Sequence, residues 1–187
     1  MKKQLILLTL FNILNLSIFA QCTDLFISEY VEGSSNNKAI ELYNPTSEAI
    51  DLSNYSLSSW RNGATTPLNT VLSGLIGPNE AFVVGMDKRD PNGEGFEVPL
   101  WGGWSFTIDS LTGFIIDSLY NEENDLMSKV DLFINPNYED GTMYFNGNDA
   151  VTLETSNGDI LDVIGKIGED PGDGWGTNVI TMIWTQW

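Results

Sequence analysis

Short stretches in which apolar and polar residues alternate recur along the chain. In order, they are "DLFISEY", "KAIELYN", "AIDLSNYSLSSW", "TVLSGL", "EAFVVGM", "TMYFNG", "DAVTLETSNGDILDVIGKIG" and "VITMIWTQW". Alternation with a period of two residues is typical of strands that bury one face. The dipeptide Asn157-Gly158 separates two such stretches and predicts a tight hairpin turn. Many short strands divided by turn residues predict an all-β fold, either an antiparallel sandwich or a barrel.

The run "EGSSNN" lies between the first two predicted strands. In the second of these strands, Ile40 and Leu42 fall on one face, while Glu41 and Tyr43 fall on the other. The run lacks the Gly-x-x-x-x-Gly-Lys pattern of a phosphate-binding loop. Asn and Gly tolerate positive backbone angles, so we interpret the run as a turn between strands and not as a substrate-binding loop.

The apolar faces of the predicted strands define the expected core. A residue that alternates with polar neighbours points towards the interior, where its apolar surface is removed from water. The residues predicted to form the core are Ile27, Ile40, Leu42, Leu57, Val83, Val151, Leu153 and Val163.

Residues 87–141 depart from the strand pattern. They include "DPNGEGFEVPLWGGWSF", rich in turn residues, and then "DSLYNEENDLMSKVDLF". In the second piece, Leu119, Leu126, Met127 and Val130 fit one face of a short helix. We therefore predict a loop-rich insertion between two sandwich strands, carrying one short helix at residues 121–130.

The first twenty residues predict a secretory signal. Lys2 and Lys3 precede the apolar stretch "LILLTLFNILNLSIFA", which ends in a small residue at Ala20. The mature chain is expected to begin at Gln21 and to be secreted, without membrane insertion after cleavage. A lipid anchor would require a small residue before the modified cysteine, and Gln21 precedes Cys22. Since Cys22 is the single cysteine, no internal disulfide can form.

Charge and histidine content exclude several functions. Removal of the two signal lysines leaves six basic residues against 26 acidic ones, a net charge of −20. Nucleic-acid binding depends on Lys and Arg neutralising phosphates, so we expect this domain not to bind DNA or RNA directly. The chain has no histidine, which removes the usual nucleophile triads and the common zinc sites. Proteins, cell surfaces and neutral glycans remain as expected partners.

Two blocks of the sequence resemble the lamin-tail domain family. They are "LFISEYVEGSSNNKAIELYNPTSEAIDLSNYSL" and "MYFNGNDAVTLETSNGDILDVIGKIGEDPGDGWG", in the order and spacing of the family. The resemblance is closest to the form found in secreted bacterial proteins, often beside extracellular nuclease or other hydrolase domains. It implies an immunoglobulin-like β-sandwich without catalytic residues of its own.

The end of the chain departs from the family pattern. Members usually continue past "GWG" into a last strand with a Thr-Leu-x-Arg-Lys-like sequence, whereas this chain ends at Trp187 without it. We expect a signal peptide at residues 1–20 and a lamin-tail-like domain at residues 21–187. We expect a fragment of a longer protein that lacks the last strand of the domain. The alternative is a domain that closes its sandwich differently.

One stretch matches the first half of a calcium-binding loop. Asp90, Asn92, Glu94 and Gly95 follow the pattern D-x-[DN]-x-[DN]-G if Glu is accepted as the third ligand. The twelfth position, which should be a bidentate Glu, is Trp101. The alternative interpretation is a solvated turn. No other cofactor is predicted.

Trp101 and Trp104 flank Gly102-Gly103 in the insertion. Aromatic rings on a loop can stack on sugars or contact a partner protein. Such rings can equally attach the insertion to the sandwich by burying apolar area. We retain Trp101 and Trp104 as candidate ligand-binding residues, with the packing role as the alternative.

Acidic residues on the strands are candidates for acid–base chemistry. Glu29 and Glu41 fall on the first two strands, and Asp149 follows the "NGN" turn. Two carboxylates can form a glycosidase-like pair, but the sequence gives no distance between them. Asp149 is better interpreted as an acceptor of backbone hydrogen bonds in its turn.

Three function classes follow from these observations. The leading hypothesis is a non-catalytic accessory or interaction module of a secreted protein. It would serve positioning or adhesion, and would be attached to an extracellular nuclease or another hydrolase. The alternative is a calcium- or glycan-binding domain, and the third is a carboxylate-based hydrolase. No catalytic residue is predicted in this chain.

Overall fold

A computed structural model describes residues 22–33, 36–96, 104–120, 126–137, 141–172 and 174–175. Twelve strands occur in these ranges. They are β1 (Phe26–Glu32), β2 (Lys38–Tyr43), β3 (Ile50–Asp51), β4 (Tyr55–Trp60), β5 (Leu68–Val71), β6 (Leu75–Ile76), β7 (Ala81–Met86), β8 (Trp104–Ile108), β9 (Ile115–Tyr120), β10 (Leu132–Ile134), β11 (Ala150–Thr155) and β12 (Ile160–Ile164). Short 3-10 helices lie at Leu52–Asn54, Arg61–Gly63 and Leu126–Lys129. The predicted strand at residues 179–187 lies outside the described residues.

Two four-stranded sheets form the body of the domain. Their strand orders are β1-β2-β7-β10 and β12-β11-β4-β5. Neighbouring strands are antiparallel except for β10, which runs parallel to β7. Two smaller pairs, β3-β6 and β8-β9, complete the described strands. The predicted antiparallel, immunoglobulin-like sandwich is confirmed. None of the helices in the described ranges is long and apolar enough to cross a membrane.

The core lies between the two sheets, as the alternation predicted for most positions. Five of the predicted core side chains have no exposed surface: Ile40, Leu42, Leu57, Val151 and Leu153. Ile27 is partly buried and packs against them. The prediction is wrong for Val163, which is 44% exposed, because it lies opposite Thr152 on the outer face of its sheet. The prediction is also wrong for Val83, which lies opposite Glu41 on the outer face of the first sheet.

Both predicted turns are confirmed. β1 and β2 are antiparallel neighbours, so the run "EGSSNN" joins adjacent strands. The buried ammonium of Lys88 donates to Asn37 Oδ1 at 2.8 Å, which attaches the start of the insertion to this connection. Between β11 and β12, Gly158 has a φ of 85°, a conformation that glycine adopts without steric cost.

The insertion differs from its prediction. Residues 126–129 form a four-residue 3-10 helix, and residues 121–125 lie outside the described part of the chain. The described part contains no α-helix. The insertion instead carries the antiparallel hairpin β8-β9, which the sequence analysis assigned to loop. A Cβ on Gly85 would lie 2.5 Å from Val130 Cγ2, so glycine allows the insertion to pack on the outer face of the first sheet.

The two sheets are linked along one side of the sandwich. The backbone amide of Ile27 in β1 donates to Asp162 Oδ2 in β12 at 2.9 Å. Beside it, the Tyr55 hydroxyl donates to Asp24 Oδ1 at 2.8 Å. Burial, and then Asp24, raise the pKa of Tyr55 to about 12, so this hydroxyl keeps its proton at any physiological pH. On the opposite side, the outermost strands of the described sheets are β10 and β5.

Candidate functional site

Glu29 and Glu41 lie directly opposite each other on β1 and β2. The Ser28 hydroxyl donates to Glu41 Oε1 at 2.7 Å. Partial burial, and then the charge of Glu41, raise the pKa of Glu29. Like charges directly opposite each other on neighbouring strands destabilise the sheet, and the charge of Glu41 disfavours ionisation of Glu29. The structure thus brings together two of the three candidate carboxylates and places Asp149 elsewhere.

Replacing Glu29 with glutamine is expected to raise the melting temperature at pH 7. The folded-state pKa of Glu29 lies above its ordinary value of 4.5, so folding favours the protonated form. The stabilisation contributed by Glu29 is complete below its ordinary pKa of 4.5 and is lost as the pH rises through its folded-state pKa. Glutamine cannot ionise, so the gap between the variant and the wild type should be largest near pH 7 and close below about pH 4.

Thermal unfolding between about pH 3.5 and 7.5 measures this gap. The control is Glu48→Gln, because Glu48 is exposed and lies in a connection outside the strands. A gap that stays constant across the pH range would contradict the proposed cause.

The predicted calcium ligands form a hydrogen-bonded turn. Asp90 Oδ1 accepts the backbone amide of Asn92 at 2.9 Å and its side-chain amide at 3.3 Å. The backbone amide of Glu94 donates to Asn137 Oδ1 at 3.3 Å. Among the described residues, no three His, Cys, Asp or Glu side chains are grouped so that they could hold a metal ion. Calcium binding at Asp90, Asn92 and Glu94 stays a prediction.

The structure describes only one of the two candidate tryptophans of the insertion. Trp101 lies outside the described residues, and Trp104 is the first residue of β8, paired with Tyr120 of β9. Their role as ligand-binding residues stays a prediction. Trp104 begins the hairpin β8-β9, whose turn is exposed to solvent.

The turn of this hairpin and the start of β9 expose three large apolar side chains. Leu111 is 94% exposed, Phe114 72% and Ile116 64%, and we call these three residues the apolar tip. The turn is ordered by Asp109, whose Oδ1 accepts the amide of Leu111 at 2.8 Å, and whose carbonyl accepts the amide of Gly113 at 2.8 Å. The first of these hydrogen bonds is the main cause that lowers the pKa of Asp109. The apolar tip is therefore held in a defined turn.

The sequence analysis missed the apolar tip, although a signal was present. "WSFTI" and "IIDSLY" are strand-like runs, and the residues between them include a glycine. Such runs separated by a short glycine-containing segment predict a hairpin.

Asp149 has a structural role at one end of the sandwich. Its carboxylate is buried and accepts the backbone amides of Asn62 at 2.8 Å and Asn146 at 2.9 Å. Its carbonyl accepts the indole N–H of Trp175 at 3.0 Å. Burial lowers the pKa of Arg61, and the charge of Asp149 opposes that shift. These contacts confirm that Asp149 accepts backbone hydrogen bonds in its turn.

A groove runs between β5 and β10, at the edge of the first sheet opposite Glu29. Its volume is about 570 Å³, and the residues that line it are Leu68, Asn69, Thr70, Val71, Phe133, Ile134, Asn135 and Pro136. Asn135 Nδ2 donates to Thr70 Oγ1 at 3.1 Å across the groove. The Thr142 hydroxyl donates to the carbonyl of Leu68 at 3.0 Å. The carboxylate pair lies on β1 and β2, whereas the groove lies beside β10 at the other edge of that sheet, so this groove gives the pair no substrate cleft.

Two facing sheets with a core between them define the chain as an immunoglobulin-like β-sandwich domain. The model of the Lamin Tail Domain family matches residues 20–168, most of the chain. The chain belongs to the lamin tail domain family, which confirms the resemblance seen in its two sequence blocks. Domains of this family are typically non-catalytic interaction modules. No curated protein matches the chain.

Proposed function

We propose that this chain is a non-catalytic interaction module of a secreted protein, which it attaches or positions. The apolar tip is the observation that carries this proposal. Three large apolar side chains between 64% and 94% exposed would cost free energy in a protein that never covers them. An ordered turn that presents such side chains is suited to contact with an apolar site on a partner.

The secreted setting and the attached enzyme are further parts of this proposal. Support for secretion comes from the basic start and the apolar stretch of the first twenty residues. Support for an attached extracellular nuclease or other hydrolase comes from the resemblance to secreted bacterial members of the family. A net charge of −20 would leave DNA capture to the catalytic part, since this surface repels phosphates.

Serine substitutions in the apolar tip are expected to reduce attachment several-fold. The double variant Leu111→Ser, Phe114→Ser removes most of the exposed apolar area from the turn while keeping Asp109 and Gly113. Labelled mature protein, residues 21–187, is incubated with washed producing cells, and the fraction retained after washing is measured. Since the substituted side chains are solvent-exposed, the melting temperature should be unchanged.

The matched control is Ile160→Ser, Val163→Ser on β12. These side chains are 47% and 44% exposed, so the control removes exposed apolar area at another surface. Equal retention of the wild type and the tip variant would show that the tip does not mediate attachment. Equal loss in both variants would show a general effect of apolar surface.

A further inference from the structure

A single residue, Asp109, holds the backbone of the turn that carries the apolar tip. Its carboxylate Oδ1 accepts the amide of Leu111 at 2.8 Å and the amide of Thr112 at 3.3 Å. Its carbonyl accepts the amide of Gly113 at 2.8 Å. Three consecutive amides of the turn therefore donate to one residue.

Asp109 also closes the turn at its far end. Its own amide donates to the carbonyl of Phe114 at 2.9 Å, one residue before β9 begins. The hydrogen bond from Leu111 is the main cause that lowers the pKa of Asp109, so its carboxylate is ionised at neutral pH. Hydrogen bonds to an ionised acceptor are stronger than those between neutral groups. The carboxylate is thus a strong restraint within an exposed segment.

Order in this turn bears directly on the affinity of the apolar tip. Leu111 and Phe114 are 94% and 72% exposed, so the backbone of the turn, and not neighbouring side chains, sets their direction. A turn that is already ordered loses less conformational entropy when its side chains are bound. Where the conformation that binds is populated only part of the time, the apparent Kd rises by the inverse of that fraction.

We propose that Asp109 is a positioning residue for attachment, whose carboxylate fixes the turn in the conformation in which the apolar tip binds. This inference rests on the proposed function, because it concerns the same tip. Without the carboxylate, Leu111, Phe114 and Ile116 are still present, but the turn samples other conformations. A binding conformation populated for about a third to a tenth of the time weakens attachment about threefold to tenfold.

The test compares two substitutions of Asp109 in a protein comprising residues 21–187. Asp109→Ala removes the acceptor and keeps the tip, so retention on washed producing cells should fall about threefold to tenfold. Asp109→Asn should keep most of the retention, since its amide oxygen can accept the same two amides. The melting temperature should be unchanged in both, because the turn is exposed. Hydrogen exchange of the Leu111 amide should be faster in the alanine variant than in the asparagine variant.

Two further variants show whether Asp109 acts through the tip. Added to Leu111→Ser, Phe114→Ser, the substitution Asp109→Ala should cause no further loss of retention, because the side chains that it positions are gone. Asp170→Ala is the matched control, since Asp170 Oδ1 accepts the amide of Gly172 at 2.8 Å in another exposed turn. Its retention should equal that of the wild type.

The outcomes separate this inference from the proposed function. Full retention of Asp109→Ala, together with loss in the serine variant, would overturn the positioning role and leave the function of the tip standing. Full retention of the serine variant would refute the proposed function and this inference with it. A loss for Asp109→Asn as large as for Asp109→Ala, or a further loss in the serine background, would show that the carboxylate contributes by its charge and would likewise overturn the positioning role.

Discussion

Replacing Phe145 with alanine is expected to lower the free energy of unfolding by about 4 kcal/mol. The Phe145 ring has no exposed surface, and its centroid lies 4.7 Å from that of Tyr30. The ammonium of Lys38 lies 5.6 Å from the same centroid and forms an ion pair with Glu32 at 3.2 Å. Alanine would remove the buried apolar area, the ring contact and the aromatic face beside a buried cation.

Urea unfolding of a protein comprising residues 21–187, followed by far-ultraviolet circular dichroism, measures this loss. The matched control is Phe114→Ala, since Phe114 is the same residue type and is 72% exposed in the apolar tip. The control should change the free energy of unfolding by less than about 0.5 kcal/mol. Similar losses in the two variants would contradict the position of Phe145 in the core.

Replacing Asp149 with alanine is expected to cost about 3 kcal/mol. The substitution removes the acceptor of two backbone amides, those of Asn62 and Asn146, at 2.8 and 2.9 Å. Because Asp149 is buried, these amides would remain without an acceptor and would lose the free energy of their hydrogen bonds. Arg61 would lose a nearby negative charge as well.

Asp149→Asn distinguishes hydrogen bonding from side-chain volume. Its amide oxygen can accept only on one side, while its NH2 group faces a second N–H, so part of the loss should remain. Asp170→Ala is the control, because Asp170 accepts the amide of Gly172 at 2.8 Å in an exposed turn. The same urea experiment applies, and a loss for Asp149→Ala no greater than for Asp170→Ala would contradict this account.

The strand framework was predictable because alternation is a local property. Leu57 and Leu153 each lie between two polar residues, and the structure buries both completely. The prediction for Val163 was wrong because the register of β11 and β12 shifts between Leu153 and Glu154. Such a shift cannot be recognised from the alternation of apolar and polar residues. The face of a residue after an irregularity depends on its partner strand.

The insertion was less predictable because its local pattern is ambiguous. Leu119 and Leu126 fit one face of a helix, yet Leu119 belongs to β9 and Leu126 begins a 3-10 helix. Short apolar segments support either structure until tertiary contacts decide between them.

The candidate surfaces depend on relations that a single sequence does not contain. Glu29 and Glu41 are neighbours only because β1 and β2 pair in one particular register. The groove exists because residues 68–71 and 133–136, far apart along the chain, come to adjacent edges. The exposure of Leu111 depends on the tertiary structure around it, which the local sequence does not specify.

The direction of β10 sets a lower limit on the length of the insertion. β10 runs parallel to β7, with Leu132 opposite Val84. Two parallel neighbours cannot be joined by a tight turn, because the chain must return to the starting end of the sheet, which takes a dozen or more residues. The insertion is thus a crossover that the topology requires. Its hairpin can vary in length and sequence, but a direct link from β7 would reverse the strand that forms one wall of the groove.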